Sequence, residues 1–301
     1  MVAVQLFDVD SASIRMDVVD AAAAVIHRIA LEPDRVRLVI AYNVAAALDT
    51  LLPHDDGPRT EDDVVTLGGC AFSAGELNYV VLPAVGLFRG IACDEANVLH
   101  IAAHEAYHVL IEQRGERLAG IASRTGVATK SAAFLAAHAA SVIEEYRVEL
   151  AAHQAGEPGH TPSYTEKLST ELVELEQETR EILSLARRRV NEASAYDEML
   201  GLLRRLLHRL AHAVAATVAT GGAERPDNTE LWQTRIGTVY EELCRILAAV
   251  PSASTGAGIA DLDNVAAQLA PLVRQLHSAY WLELGERPGE LGIWCSRPLS
   301  A

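Results

Sequence analysis

Cysteine is scarce. Four occur in 301 residues, and Cys70, Cys93, Cys244 and Cys295 stand far apart with no C-x-x-C pair. This spacing argues against a zinc ribbon and a disulfide framework, and fits reduced, partly buried thiols. Long apolar runs are also missing. Nothing approaches the roughly 18 residues of a membrane span, and Met1 to Asp10 carries no basic residue, so neither membrane insertion nor secretion is signalled and a cytoplasmic location is expected. Positive charge is in short supply, with 25 Lys and Arg against 41 Asp and Glu for a net charge of −16. Such a surface repels phosphate backbones and anionic lipid, so no nucleic-acid or membrane partner is expected. Gly68-Gly69 and Gly221-Gly222 lack the residues that complete a phosphate-binding loop, and no G-x-S-x-G nucleophile motif occurs.

What is present is a globular composition, 50% hydrophobic and 22% charged, in a chain long enough to bury a full core. The first third mixes periodicities. Val18, Ala22, Val25, Ile26 and Ile29 give Asp17 to Leu31 helical spacing, ended by Glu32-Pro33-Asp34. Val36 to Ala41 reads as a short β-branched strand, His54 to Pro58 as a turn, Val64 to Leu67 as a second strand and Asn78 to Leu82 as a third, ended by Pro83. A small sheet with one helix is expected here.

Beyond Asp94 the pattern is helical. Asp94 is a plausible N-cap for a helix reaching about Arg114, with Gly115 as its stop. A second helix should run from about Val127 to Ala155. Gly156, Pro158, Gly159 and Pro162 then mark a boundary, which divides the chain into residues 1–157 and 158–301. Four amphipathic helices are expected after it, at about Ser163 to Glu192, Ala195 to Thr220, Asn228 to Val250 and Asp261 to Leu284. The stripes Leu168, Leu172, Leu175, Ile182, Ala186 and Leu203, Leu206, Leu207, Leu210, Val214 are those of a helical bundle core. The fold class is α+β and predominantly helical, a small N-terminal β-sheet followed by an α-helical bundle.

Chemistry concentrates at His104-Glu105-Ala106-Tyr107-His108. Residues four apart share a helix face, so His104 and His108 can direct imidazole nitrogens at a common ion, and Glu105 projects beside them as a general base toward an activated water. The flanking Val98, Leu99, Ile101, Ala102, Val109, Leu110 and Ile111 make this a mostly buried helix, where unpaired imidazoles and a carboxylate are costly. An open catalytic zinc site needs a third protein ligand. Glu144-Glu145-Tyr146-Arg147-Val148-Glu149 supplies candidates on the next helix, 36 residues after His108.

In this pairing the chain resembles the gluzincin metallopeptidases, in which H-E-x-x-H on one helix is followed by a glutamate ligand in an E-x-x-x-D motif on another. Glu145 to Glu149 fits that motif except that Glu149 stands where the family usually has Asp. The resemblance spans about Asp94 to Ala155. It implies a zincin-like domain over residues 1–157, one Zn2+ per chain held by His104, His108 and Glu145, Glu105 as the catalytic base, and a peptide or protein substrate. It also implies Glu149 as an acceptor orienting His104, with Glu144 as the competing ligand, and substrate bound along an edge strand, for which Asn78 to Leu82 or Ala84 to Phe88 are the candidates. The helices after Pro162 are candidates for capping the site, for self-association or for a regulatory partner. A non-catalytic or autoinhibited protein is the alternative.

The competing reading of Glu144, Glu145 and Glu149 is a solvated face shared with Arg147. His100 lies one turn before His104 and could flank the site, and His153 and His160 could approach it. His208 and His212 repeat the i, i+4 spacing without an intervening glutamate, so catalysis there is not expected and they read as a structural or incidental pair. Packing is the default role for Tyr107 and Tyr146.

Overall fold

The computed structural model describes residues 2–52, 69–155, 164–186, 192–222, 230–280, 282–287 and 290–295. The turn at His54 to Pro58, the strand at Val64 to Leu67, the boundary around Gly156 to Pro162 and His160 lie outside them. The chain forms two compact units. The first comprises Met1–Glu116, Ala151–Pro162 and Ala253–Gly256, and the second Arg117–Leu150, Ser163–Ser252 and Ala257–Ala301.

The first unit is built on strands β1 (Ala3–Phe7), β2 (Val36–Ala41), β3 (Cys70–Ala74) and β4 (Leu77–Pro83), in the order β1-β2-β4-β3. β1, β2 and β4 are parallel, and β3 runs antiparallel to β4. Both faces of β2 are covered, which its near-continuous apolar sequence requires. Val36, Leu38 and Ile40 join Val80 and Leu82 of β4 in one core with Val18, Val19, Ala22 and Ile26 of α1 (Met16–Ile29). Ala102, Ala106 and Val109 of α3 (Glu95–Gln113) pack into the same core. The alternate residues Val39, Ala41 and Val81 pack with Ala47 and Leu48 of α2 (Val44–Leu51) on the opposite face. The strand period of two thus sorts side chains into two helix-covered layers.

Two expectations for this unit are corrected. It has two helices before α3 rather than one. Asn78 to Leu82 is no edge, because β4 pairs with β2 on one side and β3 on the other; among the described residues the edge beside it is β3.

The second unit is helical. After α4 (Ile121–Arg124) come α5 (Lys130–Ala155), α6 (Tyr164–Ala186), α7 (Glu192–Ala219), α8 (Glu230–Arg235), α9 (Gly237–Leu247) and α10 (Ile259–Ala279). Leu168, Leu172 and Leu175 of α6 and Leu203, Leu206, Leu207, Leu210 and Val214 of α7 enter one core, as their stripes require. The helix expected over Asn228 to Val250 is interrupted at Ile236 (φ −132°, ψ −15°). There Gly237 lies against the Trp232 indole, and a Cβ would come within 3.3 Å of Nε1. The last helix stops at Ala279 instead of continuing to Leu284, and the hairpin β5 (Leu282–Arg287) and β6 (Glu290–Cys295) follows. Pro288-Gly289 in the sequence is the turn signal that helical periodicity obscured. The α+β, predominantly helical class holds. No helix among the described residues is long and apolar enough to cross a membrane, and Cys70, Cys93 and Cys244 are half-buried thiols.

One polar pair sits inside the helical unit. The rings of His138 and His277 are 5.5 Å apart edge to face. His277 is fully buried, and neither of its ring nitrogens has a hydrogen-bond partner. Burial pulls the pKa of each down to about 4, assisted at His138 by Arg204 and His208 and at His277 by His138 and Arg274. The unfolded chain therefore takes up protons first as pH falls from about 6.5. Unfolding free energy should drop by a few kcal/mol between pH 7 and pH 4 through this pair, and His277→Leu should flatten that slope. Urea titrations across the range check it, and an unchanged slope in the variant would contradict it.

Candidate metal centre

Helix α3 is fixed at both ends by its own sequence. Asp94 caps it, its carboxylate accepting from the Asn97 amide at 3.1 Å. At the other end Gly115 adopts φ 67°, its amide donates to Glu112 O at 2.9 Å, and that of Glu116 donates to Ile111 O at 2.9 Å. This is the paired closure of a Schellman motif. Ala102 and Ala106 face the sheet and α1, so His100, His104 and His108, each two residues or about 200° from one of them, fall on the other side of the helix. His104 and His100 are buried, His108 is half-buried, and the rings of His104 and His108 lie 5.0 Å apart at 69°. Glu105 is only 3% exposed. Gly69, at the entry to β3, is what makes room for it, because a Cβ there would stand 3.2 Å from Glu105 Cγ and 3.0 Å from both Ile101 Cγ2 and Leu82 Cδ2.

Helix α5 carries the carboxylates. Arg147 (0% exposed), Glu149 (1%) and Glu145 (7%) are buried, which overturns the solvated-face reading. Glu145 Oε2 lies 3.0 Å from His212 Nε2, and its Oε1 lies 3.9 Å from His208 Nδ1. His208 Nε2 in turn lies 2.7 Å from Ser141 Oγ. The i, i+4 pair on α7 is therefore a structural partner of Glu145, which decides between the structural and the incidental reading. Its signal was two imidazoles set among Leu207, Leu210, Ala211 and Val214, a face on which polar groups need partners. Glu144 does different work: its Oε1 accepts from the Leu118 amide at 2.5 Å. Burial raises its pKa above the usual carboxylate range, against the pull of that hydrogen bond and of Arg117. Arg147 Nε donates to Pro251 O at 3.1 Å. Burial raises the Tyr107 hydroxyl, opposed by Arg114 and Arg28, and Tyr146, fully buried in the helical core, is raised by the same cause.

Buried His and Glu side chains gather into groups that could hold a metal ion. Among the described residues these groups draw on His100, His104, His108, Glu145, Glu149, His153 and His212. Glu144 and Glu105 belong to none of these groups among the described residues. Imidazole nitrogen with carboxylate oxygen is a donor set suited to zinc and other borderline divalent ions. Buried carboxylates also need compensating positive charge, which such an ion supplies.

Comparison with models of protein families, with curated proteins and with solved structures found no match to this chain.

The packing around Glu105 makes a specific prediction. Gly69→Ala should lower stability by about 1–3 kcal/mol through overpacking against Glu105, Ile101 and Leu82. Thermal denaturation reads the change, and a melting temperature equal to that of the parent would show that the neighbours yield without cost.

Proposed function

We propose that the protein is a zinc-dependent hydrolase of peptide bonds, with His104, His108 and Glu145 as metal ligands and Glu105 as general base. The observation that carries this reading is the pair His104 and His108 on one face of α3, with rings 5.0 Å apart and the buried Glu105 beside them; Glu145, itself a member of a His/Glu group that could hold a metal, is the third ligand that the resemblance to gluzincin peptidases calls for. Bound zinc would supply Lewis acidity toward the scissile carbonyl and acidify a water. Glu105, next to His104 on α3, then accepts the proton released as the water oxygen bonds to the carbonyl carbon. It returns that proton to the nitrogen as the C–N bond breaks. His212, with Nε2 3.0 Å from Glu145 Oε2, holds the carboxylate ligand in place, and Glu149 is the acceptor that orients His104. The substrate is a peptide or protein, not a nucleic acid. The helices after Pro162 serve self-association or a regulatory partner.

A second reading is favoured by the low exposure of Glu105 (3%) and His104 (6%). The same centre would then be a closed or non-catalytic zinc site in an interaction protein.

Glu105→Gln separates the two. A catalytic protein keeps its zinc and loses about 10²- to 10⁴-fold in kcat/KM, measured on a fluorogenic peptide library and by mapping new N-termini in whole-cell lysate. Equal cleavage by parent and variant would contradict the role of Glu105. Absence of cleavage by the parent in both assays would leave the closed-site reading.

A further inference from the structure

A serine and a histidine meet inside the helical unit, at the wall of a cavity. Ser141 on α5 and His208 on α7 both belong to the second compact unit. Ser141 Oγ lies 2.7 Å from His208 Nε2. The other ring nitrogen, Nδ1, lies 3.9 Å from Glu145 Oε1, and Glu145 stands one turn after Ser141 on the same face of α5. A carboxylate on the Nδ1 side favours the tautomer protonated there, which leaves Nε2 to accept from the Ser141 hydroxyl. Ser141 also lines a cavity of about 240 Å³, whose wall includes Arg117, Leu118, Gly120, Ile121 and Ala140. A nucleophile, a base and an orienting carboxylate beside an open space are the parts of an acyl-transfer site, and such sets are recognised by geometry, not by position in sequence. We propose that Ser141 is a nucleophile and His208 its general base in a second hydrolytic site, acting on short-chain carboxylic esters.

Nothing in the spacing of His208 and His212 forecasts catalysis; the contact with Ser141 is the reason to place it there. The hydroxyl proton passes to His208 Nε2 as Oγ bonds to the acyl carbon. It goes from Nε2 to the alkoxide oxygen as the ester C–O bond breaks, releasing an alcohol. Water then attacks the acyl group: its proton goes to Nε2, its oxygen bonds to the acyl carbon, and the bond to Oγ breaks as Oγ takes the proton back. The products are one alcohol and one carboxylic acid. Arg117 is the cationic side chain of the wall and offsets charge developing on the carbonyl oxygen. The cavity is smaller than the roughly 300–1,000 Å³ of sites for drug-sized molecules, and its wall is mostly Ala, Leu and Ile, which selects a short apolar acyl chain. The separation of Nδ1 from Oε1 closes when substrate binds, since catalytic contacts in free enzymes are often long. The site uses no metal ion and does not rest on the zinc reading, although Glu145 serves both.

The test uses the full chain and two probes, p-nitrophenyl butyrate and a fluorophosphonate, which phosphonylates an activated serine with loss of fluoride. Peptide mapping by mass spectrometry is expected to place the phosphonyl group on Ser141 of the parent. Labelling and nitrophenol release should vanish in Ser141→Ala and slow about 10²- to 10⁴-fold in His208→Gln. Circular dichroism of each variant verifies the fold, and the label on the unaltered parent gives a readout that needs no variant. Chelator should leave both readouts unchanged. Labelling that is absent from the parent, falls on another residue, or proceeds equally in parent and His208→Gln would overturn the site. Ester hydrolysis that chelator abolishes and Ser141→Ala leaves intact overturns it as well, and assigns the turnover to the metal centre. Chelator-resistant labelling of Ser141 in a protein that cleaves no peptide sustains this site and leaves the peptidase reading without support.

Discussion

A carboxylate removed from water must meet a proton, a cation or several hydrogen-bond donors, and the interior of this protein is organised by that requirement. Glu105, Glu145 and Glu149 are all under 8% exposed, together with His100, His104 and His212. Part of the requirement is met within the protein, as where His212 Nε2 approaches Glu145 Oε2 to 3.0 Å. The concentration of imidazoles around these carboxylates is what a divalent ion would complete, since neutral imidazole is a ligand that adds no competing charge.

The rest of the first unit holds α3 in a fixed orientation. Small residues at Ala102 and Ala106 let the helix approach the sheet closely, the caps at Asp94 and Gly115 set its length, and Gly69 leaves the volume that Glu105 occupies. These devices act on different parts of the helix and point to one outcome, a rigid histidine face turned away from the sheet. A site built on regular helices is held more precisely than one built on loops.

Much of this was legible in the sequence, for reasons that are local. The i, i+4 spacing of His104 and His108 is a property of one helix, as are the Asp94 cap, the Gly115 stop and the leucine stripes of α6 and α7. Glu145 enters as a proposed ligand because a third one is a chemical need and the next helix offers acids at the right spacing; its burial beside His212 is what the structure shows. The features that escaped are set by tertiary context. His208 and His212 contact Glu145 from 63 and 67 positions away in sequence, and no local pattern encodes that. Glu144 and Glu145 differ by one helical step, yet one accepts from the Leu118 amide and the other meets two histidines. The position of β4 inside the sheet depends on β3, whose short sequence Cys70–Ala74 has little β-branched character. The terminal hairpin was masked by an apolar period that continued from α10 into Leu282 and Leu284.

The central claim is that a metal ion is held by His104, His108 and Glu145, and anomalous diffraction from crystals of zinc-loaded protein, recorded on both sides of the zinc absorption edge, tests it most directly. The account predicts an edge-dependent peak within bonding distance of those three side chains. A map in which that position carries no anomalous signal, with Glu145 bound only to His212, would contradict it.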